Sequence, residues 1–121
     1  MPGLLLLLAA ATSAPSPAVA QGEPAANRAD PDAEFDIPCA RYVGQPMTRC
    51  RAAVVRKGPA DADISVAWPD GGVRILRFRA GKPESADSRG EFRYTREAEL
   101  NMIRVGPAER FEILDAIPLG D

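Results

Sequence analysis

The sequence predicts a small all-β domain: an antiparallel meander of about six strands, curled into a barrel or a two-layer sandwich and stapled by one disulfide. Three observations carry this. Apolar and polar residues alternate in several short runs, the pattern of half-buried strands, and no long stretch shows the 3.6-residue period of an amphipathic helix. Turn sequences such as Pro69-Asp70-Gly71-Gly72 and Gly106-Pro107-Ala108 separate the runs. The only two cysteines, Cys39 and Cys50, lie close together in the chain.

Before the strands comes a leader. Residues 1–20, MPGLLLLLAAATSAPSPAVA, carry an apolar run from Leu4 to Ala11 and end in Ala18-Val19-Ala20, the small-x-small pattern of a cleaved secretory signal. The run is far short of the ~20 apolar residues a membrane-crossing helix needs, so no membrane span is expected. No Lys or Arg precedes Leu4, which leaves room for a start upstream of Met1. Residues 21–36, QGEPAANRADPDAEFD, are acidic and contain two prolines. So polar a segment buries too little to offset chain entropy and is expected to be a disordered tether. The folded domain is expected over residues 37–119, a size at which a staple helps a marginal core.

The strands follow in order. Ala52 to Val55 forms the first and ends at Lys57-Gly58-Pro59. Ile64, Val66 and Trp68 alternate with Asp63, Ser65 and Ala67 in the second. Pro69-Asp70-Gly71-Gly72 then turns the chain, with proline presetting φ and glycine accepting positive φ. Val73 to Arg79 returns as the hairpin partner, with Leu76 and Phe78 inward and Arg77 and Arg79 outward. A polar loop, Ala80 to Gly90, separates this hairpin from the next, in which Phe92 and Tyr94 alternate with Glu91, Arg93 and Thr95. Ile103 and Val105 are the inward pair of the fifth strand, Phe111 and Ile113 of the sixth. Arg96 to Ile103 also reads as a single helical turn, since Glu, Ala and Leu favour helix.

Export places the cysteines in an oxidising compartment, periplasmic or extracellular, where an even count in a small domain reads as a disulfide. The spacing is not C-x-x-C, so a redox pair is not indicated. A structural zinc site needs about four Cys or His ligands, and the chain has no histidine and no third cysteine. A bridge between Cys39 and Cys50 remains, with Gly44, Gln45 and Pro46 supplying the turn between them. Closing such a loop contributes roughly 3 kcal/mol.

Without histidine, the commonest general base and metal ligand is missing, which excludes Ser-His-Asp and Cys-His hydrolases. The carboxylate pairs Asp61/Asp63 and Glu97/Glu99 stand beside turns and lack the spacing of a calcium loop. No glycine-rich phosphate cradle is present. Catalytic residues, metal ligands and cofactors are therefore not expected. With 15 basic residues against 17 acidic ones, the chain lacks the basic stripe of a nucleic-acid binder. All but two of the basic residues are Arg, the residue suited to bidentate anion recognition. Arg77, Arg79, Arg93 and Arg104 share the outward face and are the candidate partner-binding set, although Glu91 and Glu112 share that face and could pair with them instead. Trp68 is either an exposed stacking residue or a core residue at the barrel rim.

"PDGGVRILRFRAG" and "RVGPAERFEILDAI", downstream of the cysteine pair, are similar to a group of short bacterial secreted proteins of unknown function. These carry a Cys pair, a P-D-G turn, an R-x-x-x-F-x-x-G strand and a closing G-x-E-R-[FY]-E-I-x-D-A segment. The resemblance spans residues 37–119 and implies domain boundaries without a mechanism. The expectation is a monomeric, non-catalytic exported interaction domain whose partner is an unknown protein or an anionic envelope polymer. The alternative is an inhibitor of a secreted or host hydrolase that presents the 80–90 loop to a cleft.

Overall fold

The computed structural model describes residues 31–120; the expected signal segment, and the tether as far as Asp30, lie outside them. The all-β expectation holds, with eight strands rather than six: β1 (Ala33–Ala40), β2 (Thr48–Arg56), β3 (Ala62–Ala67), β4 (Val73–Arg79), β5 (Lys82–Ala86), β6 (Phe92–Glu97), β7 (Leu100–Val105) and β8 (Glu109–Leu114). A single helical turn, α1 (Ala116–Leu119), follows. The strands form one antiparallel sheet in the order β5-β4-β3-β2-β1-β8-β7-β6, which curls into a nearly closed barrel. Every neighbouring pair but one is a chain-order hairpin. The exception is β1 with β8, joined through only Cys39↔Phe111 and Ala40↔Arg110. The ring is broken between β5 and β6, the two ends of the sheet.

The two additional strands correct two expectations. The segment read as a tether to residue 36 belongs to the sheet from Ala33 onward, because its acids find partners on the neighbouring strand. Arg51 of β2 reaches Glu34 Oε1 at 3.0 Å and Asp36 Oδ1 at 3.3 Å, and the Asp32 carboxylate accepts the Arg56 backbone N–H at 2.7 Å. Phe35 packs against the core and Ile37 is buried, the inward alternation of a strand. Pro38 precedes the first rung to β8, so its missing N–H interrupts no ladder on that side.

The second correction concerns the expected 80–90 loop. Ala80 and Gly81, at φ 54° and 78°, form a two-residue turn, and Lys82–Ala86 then pairs back on β4. The segment is the outer strand of a hairpin rather than a projecting loop. Its far end is fixed by Asp87, whose Oδ1 accepts the Ile75 N–H at 2.9 Å. The helical alternative for Arg96 to Ile103 does not occur: a two-residue turn at Ala98-Glu99 joins β6 to β7.

The core fills the barrel. Ile37, Val54, Ile64, Val66, Leu76, Ile103, Phe111 and Ile113 point inward and are essentially sealed from solvent. Cys39 and Cys50 form the expected disulfide between β1 and β2, Cα to Cα 5.9 Å, with both residues buried. At one end α1 closes the barrel: Ile117 joins the core, and Arg56 donates to the carbonyls of Ile117 at 3.1 Å and Pro118 at 3.4 Å, satisfying the helix C-terminus. At the other end Trp68 packs on Phe111 across the interior, ring centroids 5.2 Å apart. There a Cβ on Gly90 would lie 2.9 Å from the Gly106 Cα, so only glycine lets these two turns touch.

Candidate functional site

The outward arginines separate into two groups once the register is known. Arg93 of β6 is the direct cross-strand partner of Arg104 of β7, which is the direct partner of Arg110 of β8. Three cationic residues thus stand in one row across three adjacent strands. Like charges placed directly opposite destabilise a sheet, so the mutual placement of the three is a cost to the fold. Arg93 is 3.6 Å from Glu91, with its side chain 56% exposed. Arg110 donates to the Gln45 carbonyl of the loop between β1 and β2. Arg104 has no carboxylate within ion-pair distance among the described residues, and Glu112 stands opposite Met102 rather than opposite Arg104.

Arg77 and Arg79 are not part of this row. They lie on β4, beyond β5 and the break in the sheet. Arg79 pairs with Glu84 of β5 at 3.2 Å, and Arg77 stands opposite Asp63 and Ser85. Parity along a strand put all four residues on an outer face, but strand order brings only Arg93 and Arg104 together. Arg110, outward by the same parity, was missed because register alone shows that it continues the row.

Beside the row lies a cleft of about 540 Å³ at the break between β5 and β6. Pro83 and Glu84 form one wall; Phe92, Arg93, Tyr94 and Thr95 of β6, with Met102 and Arg104 of β7, form the other. Phe92 and Tyr94 are half-buried against the core. Sequence alone gave no signal for this cleft, since nothing local marks where a ring of strands stays open.

The remaining polar clusters have structural work. Arg41 lies over the Trp68 ring at 5.4 Å and the Tyr42 ring at 5.6 Å, and donates to Asp70 Oδ1 and the Gly71 carbonyl, both at 2.8 Å. The Tyr42 hydroxyl donates to Asp70 Oδ2 at 2.8 Å, which raises the tyrosine pKa and, with Arg41, lowers that of Asp70. Trp68 is 5% exposed, so it is a core residue at the rim and not a stacking platform. Asp61 accepts the Ala80 N–H at 2.8 Å, and Asp63 lies 3.8 Å from Lys57. Buried Asn101 is held by the Ile113 carbonyl, Arg96 and Asp115, and Arg96 grips both Asp115 oxygens at 2.7 and 2.8 Å. These bonds hold the Asp115 pKa down at about 2. Among the described residues no three His, Cys, Asp or Glu side chains gather as a metal set, and no helix is long and apolar enough to cross a membrane.

No family model, curated protein or solved structure matches this chain.

Proposed function

We propose that the chain is an exported, non-catalytic interaction domain that binds an anionic partner through Arg93, Arg104 and Arg110. One observation carries the reading: three arginines are lined up directly opposite one another on adjacent strands, an arrangement that costs stability, and the central one has no carboxylate partner among the described residues. Natural sequences keep such local conflicts where function needs them. The guanidinium fork suits a carboxylate or phosphate oxygen pair. The expected leader and the disulfide fit an oxidising compartment outside the cytosol.

The test uses the mature protein and poly-glutamate as the anionic partner, with binding followed against salt. Binding weakens steeply as ionic strength rises, because exposed charges are screened beyond about 8 Å at physiological salt. Replacing Arg93 and Arg104 together by Gln abolishes binding while the melting temperature stays the same or rises, since a repulsive pair is removed. The control Arg77→Gln leaves binding intact. A lowered melting temperature with unchanged binding would make the row structural and sink the proposal.

A further inference from the structure

We infer that the partner at this same site is an amphiphilic anion: a carboxylate or phosphate headgroup on a single apolar chain, the headgroup between Arg93 and Arg104 and the chain along the cleft between β5 and β6. The inference rests on the anion-binding reading above and adds the chemical class of the ligand.

The cleft has the size and lining for this. At about 540 Å³ it falls within the ~300–1,000 Å³ range of small-molecule sites. Arg93 and Arg104 line it together with Phe92, Tyr94 and Met102, with Pro83 on the β5 side. Cation and apolar surface therefore adjoin within one concavity, which neither a bare anion nor an uncharged chain would use in full. Met102 brings an adaptable side chain of the kind that fits flexible apolar ligands. The one carboxylate in the lining, Glu84, is already paired by Arg79 at 3.2 Å, so its repulsion toward an incoming anion is offset.

The lining also argues against a glycan or a nucleic acid as the occupant of the cleft. A glycan or a nucleic-acid backbone needs many hydrogen-bonding groups, whereas the uncharged polar side chains of this cleft are Thr95 and the Tyr94 hydroxyl. Nor do two exposed arginines hold a free anion tightly, because surface ion pairs contribute little. Burying the attached chain supplies the missing affinity, about fourfold in Kd for each fully buried methylene.

Calorimetric titration of the mature protein tests this with octyl phosphate, dodecyl phosphate and dodecanoate, all below their micelle concentrations, beside inorganic phosphate, poly-glutamate and dodecyl maltoside. Dodecyl phosphate or dodecanoate is expected to bind at least tenfold more tightly than octyl phosphate, with inorganic phosphate weaker still; which of the two dodecyl anions binds better identifies the headgroup. Met102→Ser weakens the dodecyl anions at least fivefold yet spares poly-glutamate, and Arg93→Gln with Arg104→Gln weakens both. Binding of poly-glutamate without any chain-length dependence among the alkyl anions overturns the amphiphile and leaves the anion-binding function standing. Dodecyl maltoside binding as tightly as dodecyl phosphate overturns the anionic headgroup and with it the amphiphile, and no binding of any anion overturns both. The chain-length series uses the unaltered protein, so the result does not depend on how any variant folds.

Discussion

The Arg74 guanidinium and the Glu109 carboxylate meet across the inside of the barrel, Nε to Oε1 at 2.7 Å and Nη2 to Oε2 at 2.8 Å. Arg74 shares the inward parity of Leu76 and Phe78 on β4, and Glu109 that of Phe111 and Ile113 on β8. The two strands occupy opposite positions in the ring, so the pair ties one wall to the other. Arg74 also donates to the Asp87 carbonyl at 2.9 Å and to its carboxylate at 3.1 Å. Side-chain exposure is 20% for Arg74 and 17% for Glu109, so solvent screens the pair only partly. Removing one partner strands a poorly solvated charge. Arg74→Met or Glu109→Gln alone is expected to cost about 2–3 kcal/mol by urea unfolding. The double variant Arg74→Met, Glu109→Met should lose clearly less than the two single costs added together; strict additivity would show that the two groups do not interact.

The disulfide gives the second expectation. Titration of the unfolded, unreduced protein should find no free thiol. Cys39→Ala with Cys50→Ala should lower the melting temperature by roughly 10 °C or more, from about 3 kcal/mol of loop constraint at 4–8 °C per kcal/mol. An unchanged melting curve would remove the staple from the account.

Acid should loosen the network at the α1 end. The bond from Arg96, and after it that from Asn101, holds the Asp115 pKa at about 2, below its ordinary value of 3.8. A depressed carboxylate pKa contributes stability that is fully present above the unfolded value and is lost as pH falls through the folded one. Stability should therefore decline between about pH 4 and pH 2, and Asp115→Asn should flatten that limb while lowering stability at neutral pH. Parallel acid limbs in the two proteins would refute the assignment.

Ala80 holds φ 54° in the turn between β4 and β5, a left-handed conformation that strains alanine. Asparagine tolerates it, and Asn-Gly is the preferred two-residue hairpin turn. Ala80→Asn should raise stability by about 0.5–1 kcal/mol. No gain in thermal unfolding would mean that the turn is not strained at this position.

A chain shortened to begin at Ile37 should be destabilised by about 2–3 kcal/mol. It loses the Phe35 packing and the contacts of Asp32, Glu34 and Asp36 to β2. Retention of the full melting temperature would return residues 31–36 to the status of a tether.

The six strands legible in the sequence are those whose alternation is local, such as Ile64-Val66 and Phe111-Ile113. Strand β1 was hidden because Glu34 and Asp36 look like tether residues until Arg51 is known to lie beside them, and that neighbour is fixed by register. Strand β5, Lys-Pro-Glu-Ser-Ala, has a single buried residue, Pro83, and exists because β4 pairs with it. The same limit governs the site. Side-chain parity is written in the sequence and placed Arg93 and Arg104 outward. Which strands adjoin is not written locally, so Arg77 and Arg79 were grouped with them and Arg110 was left out.

The ring order carries a consequence for how the chain folds. Seven hairpin-connected strand neighbours would make a simple meander, but here the connection from β5 to β6 is the one that forms no ladder, and the ring is joined instead by β1 with β8, partners some 70 residues apart. Most contacts are therefore cheap to form early in two local blocks, and the β1 to β8 rungs carry the loop-closure cost of the whole domain. A circular permutant opened at Ser88 and linked from Gly120 to Pro31 would turn that distant pairing into another hairpin. It should refold faster than the natural order at similar stability, with the break in the ring becoming its two chain ends.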